Sequence, residues 1–242
     1  MRGKWLKRLT VILVAVVVLA AAGLYVWART STYPALRDAA ALADQMKSEQ
    51  GWYVFEPEGA PTAGFIFYPG GLVDPAAYAP LMQRLSDGGV LAIIVPMPLD
   101  LAVFGVGSAD GVVARYPHID TWIIGGHSLG GAMACEYIKD GTSEIDGLAL
   151  LASYPADSTD LSDLPIAAIS IYGSEDGVAG DVFDQSLQRL PDGTSLKEIQ
   201  GGNHAQFGNY GPQEGDGAAS VSRDEQQDLT AGAILQLAAG LE

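Results

Sequence analysis

Cysteine and histidine are scarce in this chain of 242 residues. The single cysteine, Cys135, cannot form an intrachain disulfide. It forms no sequence cluster with the three histidines, so we expect neither a zinc site nor another cofactor. Cys135 falls in a segment with the character of a buried helix. Core packing is therefore the expected role of its thiol.

Basic residues are also few, because 13 Lys and Arg stand against 29 Asp and Glu, for a net charge of −16. Five of the basic residues flank one apolar run near the N-terminus: Arg2, Lys4, Lys7, Arg8 and Arg29. The rest of the chain is strongly acidic, which repels nucleic acid and anionic lipid headgroups. We expect no nucleic-acid partner. The sequence does not predict an oligomeric state.

The apolar run extends from Leu9 to Ala28 without a charged residue. A helix of this length is about 30 Å long, which matches the hydrocarbon core of a bilayer. Tyr25 and Trp27 lie near its far end, where aromatic rings favour the membrane interface. Four basic residues precede the run and one follows it, so the positive-inside rule places the N-terminus in the cytoplasm and the rest of the chain outside.

We therefore predict a basic cytoplasmic tail at residues 1–8, a transmembrane anchor at 9–28, an Ala-rich stalk at 29–50 and a folded domain at 51–242. A cleaved signal peptide is the alternative, since Ala20 and Ala22 have the spacing of a cleavage site. Residues 1–22 would then be removed and the domain secreted. The apolar run is long for a signal peptide, which favours the anchor.

Within residues 51–242, short apolar segments alternate with helix-like segments. Strands are predicted at Trp52–Phe55, Gly64–Tyr68, Val90–Pro96, Thr121–Ile124, Leu148–Leu151, Ile166–Tyr172 and Ser195–Ile199. Helices are predicted at Ala76–Asp87, Ala109–Tyr116, Leu129–Lys139, Asp181–Arg189 and Arg223–Ala239, the last after a Ser222/Glu225 capping box. This alternation predicts an α/β fold with a doubly wound, mostly parallel sheet. Ligands of such sheets bind outside the carboxyl ends of the strands.

Residues 126–130 read Gly-His-Ser-Leu-Gly and match the pattern G-x-S-x-G. The pattern stands between a predicted strand and a predicted helix, which is the context of a nucleophile elbow. Its glycines leave room for a sharp turn that lifts the hydroxyl of Ser128 clear of the sheet. The helix dipole there favours developing negative charge. We predict Ser128 as the nucleophile; a glycine-rich turn without chemistry is the alternative.

A serine nucleophile needs a base to accept its proton. His127 lies inside the tight turn, and His118 precedes the nucleophile strand, at the opposite end of the sheet. His204 remains, directly after the predicted strand Ser195–Ile199. We predict His204 as the general base.

The base needs a carboxylate partner that fixes its tautomer. Asp176 follows the apolar strand predicted at Ile166–Tyr172, in a glycine-bounded turn. Neighbouring Glu175 is the alternative. The resulting order, with the nucleophile first, the acid second and the histidine last, is the order of the G-x-S-x-G hydrolases.

Acyl transfer also needs two N–H donors for the oxyanion, each of which changes the rate by roughly 10²–10³. The backbone of Leu129 is one candidate. The second is predicted at Gly71 or Leu72, because Gly70 and Gly71 follow the strand Gly64–Tyr68 and let the backbone approach a substrate.

From about residue 50 to 242, the chain resembles the alpha/beta-hydrolase superfamily. The resemblance rests on four segments: Tyr68-Pro-Gly-Gly71, Gly126-His-Ser-Leu-Gly130, Gly173-Ser-Glu-Asp176 and Gly202-Asn-His204. Within the superfamily it is similar to the compact, lidless group related to dienelactone hydrolases, whose usual Cys nucleophile is replaced here by Ser128. The resemblance implies a Ser-His-Asp hydrolase, most commonly an esterase, on the alpha/beta-hydrolase fold.

Only residues 152–165 separate two predicted strands where many relatives insert a helical cap. We therefore expect no cap domain and an open site that takes a small or surface-presented substrate. After the base, Gln206, Phe207 and Tyr210 are candidates for lining the substrate pocket, although they serve equally well to pack their loop.

The sequence thus predicts a membrane-tethered serine hydrolase that cleaves small, ester-like molecules. A non-catalytic, membrane-tethered binding module on a degenerate hydrolase scaffold is one alternative. A hydrolase of amide, thioester or carbon–carbon bonds is another. The physiological substrate is not predicted.

Overall fold

A computed structural model describes residues 2–46, 48, 50–141, 143–180 and 182–241. The chain divides into two compact units, Met1–Thr32 and Tyr33–Glu242.

The first unit is a single long helix, α1 (Arg2–Ser31). Its segment Lys7–Ser31 is the one stretch of the described residues that is long and apolar enough to cross a membrane, and a signal sequence shares these properties. Apolar side chains such as Val11 and Leu19 are more than half exposed.

The second unit contains one seven-stranded sheet with the order β1-β3-β2-β4-β5-β6-β7. The strands are β1 (Tyr53–Phe55), β2 (Ala63–Tyr68), β3 (Val90–Ile94), β4 (Trp122–His127), β5 (Gly147–Leu151), β6 (Ala167–Gly173) and β7 (Ser195–Ile199). β1 pairs antiparallel with β3, and the other pairs are parallel. Every predicted strand is present to within a few residues. The five parallel pairs confirm the prediction of a mostly parallel sheet.

Helices cover both faces of the sheet. They are α2 (Arg37–Gln45), α3 (Ala79–Asp87), α4 (Ala109–Arg115), α5 (Leu129–Ile138), α6 (Val182–Ser186) and α7 (Arg223–Ala239). Helices α2, α3 and α7 contribute to the core on one face, with Phe65 and Phe67 of β2. Helices α4 and α5 contribute to the other, with Ile66 and Tyr68 of the same strand. Alternate residues of β2 therefore enter opposite core layers, which explains its continuously apolar sequence.

The helix predictions hold with small differences. The predicted helix Ala76–Asp87 begins with a 3-10 turn, Pro75–Tyr78, and the predicted helix Asp181–Arg189 divides into α6 and a 3-10 turn, Leu187–Arg189. Asp181 itself lies outside the described residues. Helix α7 has the predicted cap, since the Ser222 side chain accepts a hydrogen bond from the backbone N–H of Glu225 at 3.1 Å.

Cys135 lies on α5 and is fully buried in the core layer beneath that helix. Burial raises the pKa of its thiol. The prediction that Cys135 packs in the core is confirmed.

The order in which strands are added to the sheet reverses between β2 and β4. After β2 the chain forms β3 on one side, and then returns to form β4 on the other side of β2. Sheets of this kind bind ligands in the crevice at that switch point, outside the carboxyl ends of the strands. The β2 loop (residues 69–74) and Ser128 both lie at this edge, because each follows the carboxyl end of its strand.

The predicted stalk is wrong from Tyr33 onward. Ala39 and Ala43 of α2 are fully buried, and the N–H of Leu36 donates to the carbonyl of Asn209 at 2.6 Å. The sequence prediction interprets these alanines as part of a stalk. Their small side chains instead allow close packing of α2 on the domain. The compact domain therefore begins at residue 33 rather than at residue 51. Of the predicted stalk, residues 47 and 49 lie outside the described residues.

The prediction that no cap domain is present is confirmed. The segment between β5 and β6, residues 152–166, contains turns and no helix in the structure. The carboxyl edge of the central strands is therefore not covered by an inserted domain at this point.

Candidate active site

Ser128 lies between β4 and α5 in a strained backbone conformation, with φ 51° and ψ −123°. A positive φ is unfavourable for a residue with a side chain and persists only where the surroundings enforce it. The hydroxyl side chain stands at the N-terminus of α5, as the sequence pattern predicts for a nucleophile elbow.

Close backbone packing explains the glycines beside Ser128. A Cβ atom on Gly126 would lie 2.5 Å from the backbone of Gly130 and Gly131. A Cβ atom on Gly130 would overlap the carbonyl oxygens of Tyr68 and Pro69. The glycines therefore allow α5 to begin directly against the end of β2.

His204 and Asp176 form a buried hydrogen-bonded pair. The Nδ1 atom of His204 lies 2.9 Å from Oδ2 of Asp176, and the two side chains are only 2% and 4% exposed. The other carboxylate oxygen of Asp176 accepts hydrogen bonds from the N–H groups of Val178 and Ala179, at 2.8 and 3.0 Å. Three hydrogen bonds thus fix the carboxylate, which orients the imidazole.

This geometry favours Asp176 over Glu175 as the partner of His204. The carboxylate of Glu175 accepts a hydrogen bond from the Ser174 hydroxyl at an exposed position. Of these two acids, Asp176 is the one whose carboxylate is hydrogen-bonded to the His204 ring. The sequence leaves the two acids open because they are adjacent and both belong to the same turn.

Opposing effects act on the pKa of Asp176. Burial alone raises the pKa, but the hydrogen bond and the attraction to His204, with the N–H groups of Ala179 and Val178, outweigh it and hold the pKa below its ordinary value. The ionised form of Asp176 is therefore the form that the folded protein stabilises.

We expect the stability contributed by Asp176 to depend on pH. Its folded pKa is lowered, so the contribution is fully present above the unfolded value of about 3.9 and is lost as the pH falls through the folded pKa. Urea denaturation of wild type and Asp176→Asn, from about pH 7 to about pH 3, measures this. The difference in free energy of unfolding between the two proteins should shrink at acid pH; a constant difference would contradict the expectation.

Ser128 and His204 line one pocket of about 320 Å³. Its other lining residues are Leu129, Ala132, Ala152, Ser153, Tyr154, Val178 and Ala179. The Nε2 atom of His204 is buried and has no hydrogen-bond partner among the described residues. Among the described residues, Nε2 of His204 makes no hydrogen bond to Ser128. In hydrolases such bonds are often long without substrate and shorten when substrate binds. The pocket thus brings together the predicted nucleophile and base.

The oxyanion predictions are partly corrected. Leu72 is wrong as a donor, because its N–H already donates to the carbonyl of Asp100 at 2.7 Å. The N–H groups of Gly71 and Leu129 make no hydrogen bond within the described chain. A Cβ atom on Gly71 would lie 2.8 Å from Cδ2 of Leu129, so the two residues are in close contact. Of the three predicted donors, Gly71 and Leu129 are therefore the two whose N–H groups are free.

Gln206, Phe207 and Tyr210 do not line this pocket, so their prediction as pocket residues is wrong. Phe207 and Tyr210 are buried members of the core on the α7 face. The Gln206 side chain donates to the carbonyl of Val221 at 3.1 Å, within its own loop. All three pack the β7 loop (residues 200–222), the other role that the sequence allows.

Asp216 is a site-supporting residue that sequence reasoning does not identify. Its carboxylate accepts hydrogen bonds from the N–H groups of His204 and Ala205, at 3.1 and 2.8 Å. It also accepts from the N–H of Gly177, beside Asp176, at 3.3 Å. One carboxylate therefore joins the loop of the base to the loop of the acid. Acidic residues are so common in this chain that no sequence signal marks it.

Helix α7 holds the β7 loop through two buried glutamines. The side chain of Gln226 accepts from the N–H of Asn203 at 3.0 Å and donates to its carbonyl at 2.7 Å. The Gln227 side chain donates to the carbonyl of Gln206 at 3.2 Å and to Oδ1 of Asn209 at 2.7 Å. The residue that precedes His204 is thus fixed on both sides of its backbone.

The His127 ring contacts His204, with the ring centroids 4.5 Å apart. Its Nδ1 atom is hydrogen-bonded to the Tyr78 hydroxyl at 2.8 Å, and that hydroxyl accepts from the N–H of Gly70 at 3.0 Å. Burial, with the nearby His204, lowers the pKa of His127 well below its ordinary value. His127 is therefore a neutral, buried link to the β2 loop, in agreement with its exclusion as the base.

A larger pocket, of about 810 Å³, lies on another part of the surface, near α4 and the start of β4. Its lining includes Asp110, Asp120, Glu144 and Asp146 but no histidine. It therefore lacks a base of the kind that a serine nucleophile requires.

The sequence matches the alpha/beta hydrolase family over residues 64–228. This match spans more than half of the chain. The chain belongs to the alpha/beta hydrolase family.

Solved structures of other proteins share this alpha/beta hydrolase fold. The esterase domain of a Rhodothermus marinus protein is 10% identical, covers 80% of this chain and 95% of its own, and has a TM-score of 0.57. Est1E from Butyrivibrio proteoclasticus is 12% identical, with 78% and 94% coverage and a TM-score of 0.59. A Pyrobaculum calidifontis esterase is 15% identical, with 85% and 91% coverage and a TM-score of 0.59. At these identities the likeness shows the fold.

A search of the curated proteins finds no match to this alpha/beta hydrolase.

Proposed function

We propose that this alpha/beta hydrolase is a serine hydrolase that cleaves small esters through an acyl-Ser128 intermediate. The observation that carries the proposal is the buried Asp176–His204 pair, whose free imidazole nitrogen shares a pocket with the strained Ser128. Two structurally similar proteins are esterases by name, and Est1E has been solved with ferulic acid bound. These relatives support a small, ester-like substrate.

In the first step, the Ser128 hydroxyl attacks the ester carbonyl while Nε2 of His204 accepts its proton. Asp176 keeps the other ring nitrogen protonated and stabilises the imidazolium that forms. The free N–H groups of Gly71 and Leu129 donate to the oxyanion. The tetrahedral intermediate then collapses, the leaving alcohol takes the proton from His204, and the acyl group remains on Ser128.

In the second step, a water molecule attacks the acyl-enzyme and His204 accepts its proton. The second tetrahedral intermediate releases the carboxylic acid, and the proton returns from His204 to Ser128. The exposed carboxyl edge, without a cap between β5 and β6, gives water access to this step.

Fluorophosphonate labelling tests the proposal. An organophosphorus probe should modify the folded full-length chain at Ser128, and the site is located by peptide mass spectrometry. Folded protein that resists the probe would favour the non-catalytic binding module. Labelled protein that turns over an amide or thioester faster than the matching ester would change the bond but keep the nucleophile.

We also propose that Lys7–Ser31 anchors the enzyme in the cell membrane, with the N-terminus cytoplasmic and the domain outside. The length and apolarity of this helix support the anchor, and the basic residues before it support the orientation. Protease added to intact cells should digest the domain. A soluble product that starts near Gly23 would instead show cleavage of a signal peptide.

Tyr78 is a positioning residue in this mechanism, since its hydroxyl ties the N–H of Gly70 to His127. We expect Tyr78→Phe to leave KM within about twofold and to lower kcat by about tenfold, because the β2 loop loses the hydrogen bond that fixes Gly70, the neighbour of the proposed donor Gly71. Steady-state kinetics with a small ester measures this.

Tyr210→Phe is the matched control for Tyr78→Phe. Its hydroxyl is bonded to Gln213 within the β7 loop, so its removal should leave kcat nearly unchanged. A Tyr78→Phe variant with wild-type kcat would show that this bond does not position the oxyanion donors.

A further inference from the structure

The alpha/beta hydrolase domain begins at Tyr33, which is hydrogen-bonded to the β2 loop. The N–H of Tyr33 donates to the carbonyl of Leu72 at 2.8 Å, and its carbonyl accepts from the N–H of Asp74 at 3.0 Å. Tyr33 also forms a parallel bridge with Val73. Leu72 directly follows Gly71, the proposed oxyanion donor. The first residue of the domain is therefore fixed beside the proposed catalytic centre.

Only Thr32 separates Tyr33 from the last residue of the apolar helix, Ser31. Consecutive Cα atoms are about 3.8 Å apart, so two peptide links span less than about 8 Å. The chain therefore has no linker that could carry the β2 loop away from the end of the proposed membrane span. This limit follows from the covalent chain alone and applies to any orientation of the domain.

Large apolar side chains are exposed at the same edge of the domain. The 3-10 turn Ala102–Phe104 packs against α5 and exposes Val103 and Phe104 by 46% and 55%. The preceding residue, Leu101, lies within 4 Å of the place where a Cβ atom on Gly71 would stand. Single exposed apolar residues are ordinary, but a group beside a tether and a pocket marks an interaction surface.

Leu36 is a further exposed apolar residue near the β2 loop. It is 40% exposed and lies three residues after Tyr33. Its N–H donates to Asn209 in the β7 loop, which also follows a strand at its carboxyl end. Exposed apolar side chains thus occur in two segments near the β2 loop, one shortly after Tyr33 and one at residues 103–104.

We propose that this site acts on an ester carried in an electrically neutral lipid bilayer, with Leu36, Val103 and Phe104 in contact with the bilayer. The inference rests on the proposed serine hydrolase and its anchor. If Lys7–Ser31 spans the membrane, the two peptide links between Ser31 and Tyr33 keep the β2 loop within a short distance of the bilayer. No inserted cap covers the edge between β5 and β6. The net charge of −16 opposes an anionic surface, so the bilayer partner is zwitterionic.

The test uses the full-length chain in phosphatidylcholine vesicles and two esters with the same leaving group. p-Nitrophenyl palmitate is dissolved in the vesicles, and p-nitrophenyl acetate is added in water. In one variant, 20 Gly and Ser residues are inserted between Thr32 and Tyr33, a linker with a root-mean-square length of about 25 Å. A second variant carries Val103→Ser and Phe104→Ser.

We expect palmitate hydrolysis to fall by about fivefold or more with the linker, because the carboxyl edge is no longer held at the surface. The double substitution should lower it by about tenfold, since two apolar contacts with the bilayer are lost. Acetate hydrolysis should stay within about twofold of wild type in both variants. That result also shows that the variants are folded.

Leu196→Ser with Leu229→Ser is the matched control. Both leucines are exposed, by 49% and 40%, but they belong to β7 and α7 rather than to the carboxyl-edge loops. This variant should hydrolyse both esters like wild type.

Two outcomes overturn the inference while leaving the proposed function intact. In one, both test variants hydrolyse vesicle-borne palmitate at the wild-type rate. In the other, wild type hydrolyses acetate but not palmitate. A wild-type protein that hydrolyses neither ester removes the proposed function, and this inference with it.

Discussion

Replacing Ser128 by alanine is expected to lower kcat/KM for p-nitrophenyl acetate by about 10⁶-fold. The alanine has no oxygen to form the acyl-enzyme, while the free N–H groups of Gly71 and Leu129 still bind a carbonyl. KM should therefore change much less than kcat. Steady-state kinetics measures kcat and KM. Fluorophosphonate labelling measures the loss of the covalent reaction at residue 128.

Ser153→Ala is the control that the pocket itself provides. Ser153 is the other serine in the lining, but its hydroxyl donates to the carbonyl of Ser128 at 2.6 Å and supports the turn. We expect less than a tenfold loss in kcat. Full activity in Ser128→Ala, or loss only in Ser153→Ala, would remove Ser128 from the mechanism.

Replacing Asp176 by asparagine is expected to lower kcat by about 10⁴-fold. The amide N–H₂ group of asparagine donates to Nδ1 of His204, which places the ring proton on Nε2. A protonated Nε2 cannot accept the proton of Ser128. Stopped-flow or steady-state measurement of ester hydrolysis, with circular dichroism to verify folding, tests this expectation.

Glu175→Gln is the matched control for Asp176→Asn. It removes the neighbouring carboxylate of the same turn, which is exposed and is hydrogen-bonded to Ser174 rather than to His204. Its kcat should stay within about twofold of wild type. A larger loss in Glu175→Gln than in Asp176→Asn would show that the wrong acid is assigned.

The order of strands and helices can be predicted from the sequence because buried strands and amphipathic helices leave local patterns. The predicted strand Ser195–Ile199 and helix Arg223–Ala239 have the same bounds in the structure. The candidate nucleophile, acid and base are also local predictions, since each follows a predicted strand. Their meeting depends on the sheet order, and the pattern G-x-S-x-G supplies that order through the family resemblance.

Other parts of the site depend on long-range contacts that leave no local pattern. The loss of Leu72 as a donor comes from a hydrogen bond to Asp100, 28 positions away. The docking of α2 comes from two alanines that serve equally well in an exposed helix. The burial of Phe207 and Tyr210 depends on the fit of the β7 loop against the core, which cannot be predicted from the loop sequence.

Cys135 gives the chain a reporter of its own motions. It is the only thiol, and it is buried on α5, the helix that begins directly after Ser128. A thiol-specific reagent can react only when α5 moves away from the sheet, since the closed state offers it no access. The rate of alkylation therefore measures how often the nucleophile helix opens, without any engineered label.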